Sequence, residues 1–140
     1  MKIGVDYIGT SAGAVIKNSE GKYFLAKRGN SARDDIGTWE FPGGTIDFHE
    51  TREDAAKRNV KRKYDIDIRI VKLLGVYEVI DKTNKDHWIS TTYVCEYIGG
   101  KEKIIQPEKC SAVGWFTLQE IANLNLNRIS KLNLEDIKKL

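Results

Sequence analysis

The sequence predicts one mixed α/β (α+β) sandwich domain over residues 1–140, with strands surrounding a central helix and further helix at the end. A length of 140 residues suits a single domain, and a hydrophobic fraction of 41% is enough for a packed core. No apolar run reaches the roughly 18 residues that a membrane span needs, and Met1–Asp6 lacks a signal-peptide pattern. We therefore expect a soluble cytoplasmic protein with Cys95 and Cys110 reduced.

The elements follow from local patterns. Alternating or β-branched runs between turn residues predict strands over 9–16, 22–27, 39–41, 67–79 (one strand or two), 87–98 and 112–116. A helix is predicted over 51–64, because this stretch lacks Gly and Pro and places Ala55, Ala56 and Val60 on one buried face. Shorter helices are predicted over 118–124 and 134–140, and a polar loop over 29–37.

The net charge of +3 is concentrated in one segment. Residues 50–63 carry six basic and three acidic side chains, and the rest of the chain is neutral. A net charge this small does not by itself indicate nucleic-acid binding. However, KRNVKRK at 57–63 has five basic residues in seven. Dense positive charge is what phosphate backbones require, so a basic nucleic-acid-binding helix remains one alternative, although no second basic patch accompanies it.

The same segment carries a motif. Residues 43–66 read GGTIDFHETREDAAKRNVKRKYDI. This stretch resembles the Nudix box, whose pattern is G-x5-E-x7-R-E-U-x-E-E-x-G-U, with U a bulky aliphatic residue. The positions of the pattern that the sequence keeps are Gly44, Glu50, Arg58, Val60 and Ile66.

The resemblance continues outside the box. TWEFPGG at 38–44 is similar to the approach to the box in MutT-like members, and QPEKCSAVGWFTLQEI at 106–121 is similar to the end of the domain. This resemblance implies a Nudix-type α/β/α sandwich with a mixed central sheet. It also implies hydrolysis of diphosphate bonds in nucleoside diphosphate derivatives. In the family, a loop carbonyl, a Glu50-type carboxylate and three helix glutamates hold Mg²⁺ or Mn²⁺ over the diphosphate.

The sequence departs from the pattern where that chemistry lies. The three helix glutamates are replaced by Asn59, Arg62 and Lys63, and the following glycine is replaced by Asp65. Arg and Lys side chains have no acceptor atom and cannot bind a metal. Glu50 and Asn59 would therefore form a weak metal site at most. The resemblance assigns Gly43 and Gly44 to the box structure.

Two hypotheses for the site follow. In the first, hydrolysis is impaired and the protein binds a nucleotide or nucleotide-sugar through Arg62 and Lys63, with Arg28 as a further phosphate contact. In the second, the protein is an active Nudix hydrolase that gathers Mg²⁺ or Mn²⁺ through Glu50 and non-standard ligands. In either case the resemblance makes Glu50, Arg58 and Glu108 the catalytic candidates, and Glu50 and Arg58 are expected to pair and brace the box. A cofactor is expected only if the protein is active, and a homodimer is an open alternative to a monomer.

Overall fold

The computed structural model of the chain describes residues 1–32 and 34–140. In this described part, seven strands form one sheet. The strands are β1 Gly9–Lys17, β2 Tyr23–Arg28, β3 Trp39–Glu40, β4 Gly43–Thr45, β5 Ile66–Asp81, β6 Asp86–Gly100 and β7 Cys110–Phe116. The helices are α1 Arg52–Tyr64, α2 Leu118–Ile121 and α3 Arg128–Ile137.

The sheet is mixed, and it carries a hydrophobic core on each face. The strand order is β3-β2-β1-β6-β5, with β4 also paired to β1 and β7 to β2. The β1–β6 pair is parallel and the other pairs are antiparallel. Alternate residues of β1 point to opposite faces, so Ala14 packs in the core cluster with Val60 of α1 and Val15 packs in the cluster with Leu134 of α3. This arrangement confirms the predicted α/β sandwich.

Helix α1 agrees with the prediction to within one residue. The Thr51 side chain caps its start by accepting a hydrogen bond from the backbone N–H of Asp54 at 3.1 Å. Asp65 ends it in the left-handed conformation, with φ of 59°. The box pattern has glycine at this position. Asp is among the few residues that tolerate this conformation, and ion pairs to Lys61 and Lys103 hold it there.

The largest differences from the predicted elements lie in β4 and α3. The short strand β4 was not predicted. A Cβ on Gly43 would lie 2.7 Å from the carbonyl oxygen of Ala12, so glycine is required for this close pairing with β1.

Helix α3 begins six residues before the predicted position. Asn127 caps it by accepting from the backbone N–H of Ser130, and the polar first turn obscured the helical pattern. It also ends at Ile137 rather than Leu140.

The remaining differences are small. Helix α2 ends at Ile121, three residues before the predicted end, and the other strand ends shift by no more than two residues. Both cysteines are buried and form no disulfide. In residues 1–32 and 34–140, no helix combines the length and the apolar run that crossing a membrane requires.

Candidate functional site

A cavity of about 380 Å³ lies beside the box and receives side chains from both sides of the sheet. This volume is in the range of small-molecule sites. The residues that line it are far apart in the sequence. They come from β1 (11–13), the box (43–45 and 62–64), alternate positions of β6 from 88 to 92, and the first two turns of α3. The cavity therefore joins the box to a part of the molecule that the box motif does not include.

Lys63 enters this cavity from the last turn of α1. Its ammonium group donates a hydrogen bond to the carbonyl oxygen of Gly43 at 2.5 Å. Burial lowers the pKa of Lys63 from 10.5 to about 8. Glu40 opposes this effect, while the cations Arg62 and Lys109 lower the pKa further. The box thus carries its own cation at the loop carbonyl.

Asn59 links the helix to the loop. It is fully buried, and its amide nitrogen donates to the carbonyl oxygens of Thr45 and Ala55, both at 3.0 Å. Its amide oxygen accepts from Arg62 at 3.1 Å. A Cβ on Gly44 would lie 2.4 Å from this oxygen, so only glycine lets the loop pass so close to the helix. Both polar atoms of Asn59 are therefore engaged within the protein.

Glu50 and Arg58 form the pair that the resemblance implies. The guanidinium donates from Nε to Oε2 at 2.6 Å and from Nη2 to Oε1 at 3.0 Å, and Nη2 also reaches the carbonyl oxygen of Thr45 at 3.1 Å. The hydrogen bond from Arg58, followed by that from the backbone N–H of Asp47, lowers the pKa of Glu50. The pair holds the loop against the helix. Its role in catalysis stays a prediction.

The residues of the box do not fit a divalent metal ion. The acceptor atoms that could serve as ligands already accept hydrogen bonds: Glu50 from Arg58, Asn59 from Arg62, and the Gly43 carbonyl from a lysine ammonium. Hard cations need several free oxygen ligands. Among the described residues, no group of three or more His, Cys, Asp or Glu side chains could hold a metal. The site offers positive charge where the family pattern offers negative charge.

Two of the predicted site residues lie in other surroundings. The Arg28 guanidinium is held by both carboxylate oxygens of Glu40 at 2.8 and 3.0 Å and by the Asp34 carboxylate at 2.8 Å. A phosphate would have to compete with these carboxylates for Arg28. Glu108 is exposed and does not line the cavity, although Lys109, which follows it, does. The roles predicted for Arg28 and Glu108 stay predictions that this geometry does not favour.

The opposite end of the cavity holds a cluster that sequence reasoning missed. Arg128, the first residue of α3, forms ion pairs with Asp34, Asp81 and Asp86 at 3.1 Å and with Asp35 at 3.3 Å. The hydrogen bonds that Arg128 donates to Asp86 contribute most to raising the Arg128 pKa well above its ordinary value. The four carboxylates come from the loop between β2 and β3, the end of β5 and the start of β6, so no local pattern marks the cluster.

Comparisons with known proteins agree with this architecture. A family model described as the NUDIX domain matches residues 8–136. A MutT-like protein from Streptomyces ambofaciens is 29% identical over 112 residues, which are 80% of this chain and 66% of that protein. An ADP-ribose pyrophosphatase from Methanocaldococcus jannaschii is 33% identical over 88 residues, which are 63% of this chain and 51% of that protein. The matches thus span two thirds or less of the length of these curated relatives.

A solved structure gives the same result. The crystal structure of a MutT NUDIX hydrolase from Burkholderia pseudomallei is similar with a TM-score of 0.85 and 28% sequence identity. The similarity covers 94% of this chain and 98% of that chain. Because the family model also matches nearly the whole chain, the protein belongs to the Nudix family.

Proposed function

We propose that this chain binds the phosphates of a nucleotide or nucleotide-sugar without a divalent metal, and that it hydrolyses this ligand slowly or not at all. One observation carries the proposal. The Lys63 ammonium contacts the carbonyl oxygen of Gly43 inside the cavity, at 2.5 Å. A protein cation there supplies the positive charge that a metal supplies in the family. Its hydrogen bond also occupies the Gly43 carbonyl oxygen.

The charge at this end of the cavity supports phosphate binding. Arg62, Lys63 and Lys109 all line it, and none of the three forms an ion pair with a carboxylate in the part of the chain that the structure describes. An arginine can bind two phosphate oxygens at once, and a lysine acts as a point charge. Three such cations at one end of a cavity attract a polyanion, and its binding offsets the desolvation cost of Lys63, the least exposed of the three.

The same substitutions are the reason that we expect little or no turnover. In metal-assisted hydrolysis the ion generates the attacking hydroxide and orients the phosphate. Arg and Lys can neutralise phosphate charge, but a protonated amine or guanidinium cannot act as a base for water. Binding would therefore survive where hydrolysis fails.

The basic helix does not favour the nucleic-acid alternative. Lys61 pairs with Asp65 on the outside of α1, Arg58 pairs with Glu50 beside the loop, and Lys63 lies in the cavity. The five basic residues are thus distributed around the helix and do not form one exposed surface. A duplex or single strand needs such a continuous surface for its phosphate contacts.

Calorimetric titration in EDTA tests the binding. The probes are ADP-ribose, named by one relative, together with ADP and inorganic diphosphate. We expect binding without metal, and we expect Lys63→Met and Arg62→Gln each to weaken it about tenfold or more because each removes a charged phosphate contact. Lys61→Gln is the matched control, since it removes a lysine from the same helix turn outside the cavity, and its affinity should equal that of the wild type. Absence of binding at millimolar ligand, or binding only with Mg²⁺, contradicts the proposal.

A turnover assay separates the proposal from the active-hydrolase alternative, which the retained Glu50 and the family favour. Phosphate and nucleoside monophosphate release would be measured with Mg²⁺, Mn²⁺ or EDTA. The wild type would be compared with the triple variant Asn59→Glu, Arg62→Glu, Lys63→Glu. We expect metal-dependent turnover only in the triple variant. Metal-dependent turnover by the wild type would establish the alternative.

A further inference from the structure

We infer that β5 is an association surface for a second copy of this chain, and that the two β5 strands lie side by side and antiparallel across a two-fold axis at Val76. The inference goes beyond the proposed function and is independent of it, because it concerns the edge of the sheet and uses no residue of the box.

Strand β5 forms a long edge of the sheet. It has 16 residues, and in the described part of the chain it pairs with β6 alone. The opposite edge is β3, which has two residues. The N–H and C=O groups on the outer side of an edge strand can pair with another strand, and proteins commonly keep such strands short for this reason. The length of β5 therefore favours pairing with another chain.

The outer part of β5 also exposes large apolar side chains. The exposed fractions are 46%, 52%, 55% and 61% for Val71, Leu73, Val76 and Ile80. Register shifts interrupt the pairing with β6 only as far as residue 75, while the described pairing of residues 75–81 is regular. Bulges protect an edge against association, so the regular half is the part that is open to it. Burial of these side chains against another chain would stabilise the complex.

The charges of β5 indicate that the other chain is a second copy. Residues 69–81 read RIVKLLGVYEVID. Both basic residues of this segment precede Gly75, and both acidic residues follow it. Two such strands that run antiparallel place the basic half of each against the acidic half of the other. A parallel arrangement in register would instead bring like charges together, which is unfavourable.

The pairing with β6 defines the register of this arrangement. When the positions of β5 are counted by their partners in β6, an axis at Val76 places Arg69 of one copy opposite Asp81 of the other. It also places Lys72 within one position of Glu78 of the other copy. Arg69 and Asp81 already form ion pairs within one chain. Lys72 is exposed and forms no ion pair among the described residues, so its contact with Glu78 is the main new charge pair.

Sedimentation equilibrium of the full chain without ligand tests the association. We expect a dimer with a Kd of about 1 mM or tighter, and Val76→Lys should weaken it at least about tenfold because two like charges would meet at the axis. Ile98→Lys is the matched control, since Ile98 of β6 is 59% exposed and lies away from the axis. Its Kd should stay within about twofold of the wild type. A chain that remains monomeric at about 1 mM, or a Val76→Lys variant that dimerises like the wild type, overturns the inference.

An exchange of charges tests the antiparallel arrangement. Lys72→Glu and Glu78→Lys should each weaken the dimer several-fold, because each places like charges side by side across the axis. The double variant exchanges both charges and should restore the Kd to within about threefold of the wild type. Glu78 also contacts His87 within one chain, so restoration by the double variant is the criterion rather than the effect of Glu78→Lys alone. If the double variant stays as weak as the single variants, the inference is wrong.

A cysteine at the axis gives a second readout. Val76→Cys can form a disulfide with the same residue of the other copy only if the axis passes beside it, and the two native cysteines are buried. We expect mild oxidation to link Val76→Cys into a dimer and to leave Ile98→Cys monomeric on a non-reducing gel. Equal linkage of both variants would indicate random collision, and absence of linkage in Val76→Cys would mean that β5 is not at the axis. Either result overturns the inference.

Discussion

The two ends of the cavity both hold cations, but in opposite surroundings. At one end, Arg128 lies among four carboxylates, each within 3.3 Å of its guanidinium. At the other end, Lys63 donates a hydrogen bond to a backbone carbonyl and Arg62 to the amide oxygen of Asn59, and neither pairs with a carboxylate among the described residues. The first cation is surrounded by excess negative charge within the protein. At Lys63, Glu40 supplies some opposing charge, but Arg62, Arg28 and Lys109 add charge of the same sign.

The difference distinguishes a structural charge from a charge that awaits a ligand. A cation that is paired within the protein offsets its own desolvation, and removing it leaves carboxylates that repel one another. A buried cation without a counter-charge lowers the stability of the folded state until an anion binds. Mutations at the two ends should therefore change stability in opposite directions.

The largest effect is expected at Arg128. Arg128→Met leaves four carboxylates without their shared cation, and we expect a loss of about 3 kcal/mol in the free energy of unfolding. The side chain is 27% exposed, so the loss should be smaller than for a fully buried pair. Urea unfolding at pH 7 measures it. Arg69→Met, which removes an exposed pair with Glu96, is the control and should cost less than about 1 kcal/mol. Equal losses in the two variants would contradict the comparison.

At the opposite end the sign should reverse. Burial lowers the pKa of Lys63 from 10.5 to about 8, so the folded protein holds this proton less tightly than the unfolded chain does. Protonated Lys63 therefore destabilises the fold at pH 7, and Lys63→Met should stabilise it by about 2 to 3 kcal/mol, less whatever the hydrogen bond to Gly43 contributes. Thermal and urea unfolding without ligand would check the sign. A destabilised Lys63→Met would show that the ammonium is structurally paired.

The pH dependence sharpens the same prediction. Between pH 8 and 10.5 the unfolded chain binds more protons at Lys63 than the folded chain, so the stability of the wild type should rise with pH across this window. The advantage of Lys63→Met should shrink over the same range and vanish above it. Measuring the difference between the two proteins at each pH cancels the other titrating groups. A constant difference from pH 7 to 10.5 would mean that Lys63 has an ordinary pKa.

The smallest effect is expected at the contact that ties α3 to the cavity wall. The hydroxyl of Ser130 accepts a hydrogen bond from the backbone N–H of Phe41 at 3.0 Å, and Ser130 is 2% exposed. Ser130→Ala leaves this buried N–H without its acceptor and should cost about 1 to 2 kcal/mol. Because Ser130 belongs to neither charged end, its loss should not depend on pH between 7 and 10.5. A loss of stability that changes with pH would contradict this prediction, because it would mean that Ser130 is coupled to the charges at one end of the cavity.

Much of the fold could be predicted from sequence because its signals are local. The strand alternation, the apolar stripe of α1 and its cap at Thr51 depend on residues within one or two turns of each other. The prediction was weakest at α3, where Arg128 and Asn133 replace the apolar residues that a helical pattern requires. Arg128 forms ion pairs and Asn133 donates to Thr92 at the cavity wall. A search for buried apolar positions therefore does not detect this part of the helix.

Sequence alone establishes that the box has lost the three helix glutamates of the pattern and keeps Glu50, because that conclusion needs only residue types at fixed spacing. It also shows that two of the three replacements are positively charged. What the cations contact depends on tertiary structure: Lys63 reaches the Gly43 carbonyl twenty residues earlier in the chain, and Arg128, outside the box, meets Asp34 across 94 residues. Only the packing of β1, β6 and α3 places Ser11 beside Ser90 under an open space. Such contacts depend on how the sheet and helices pack together, and no local pattern encodes that packing.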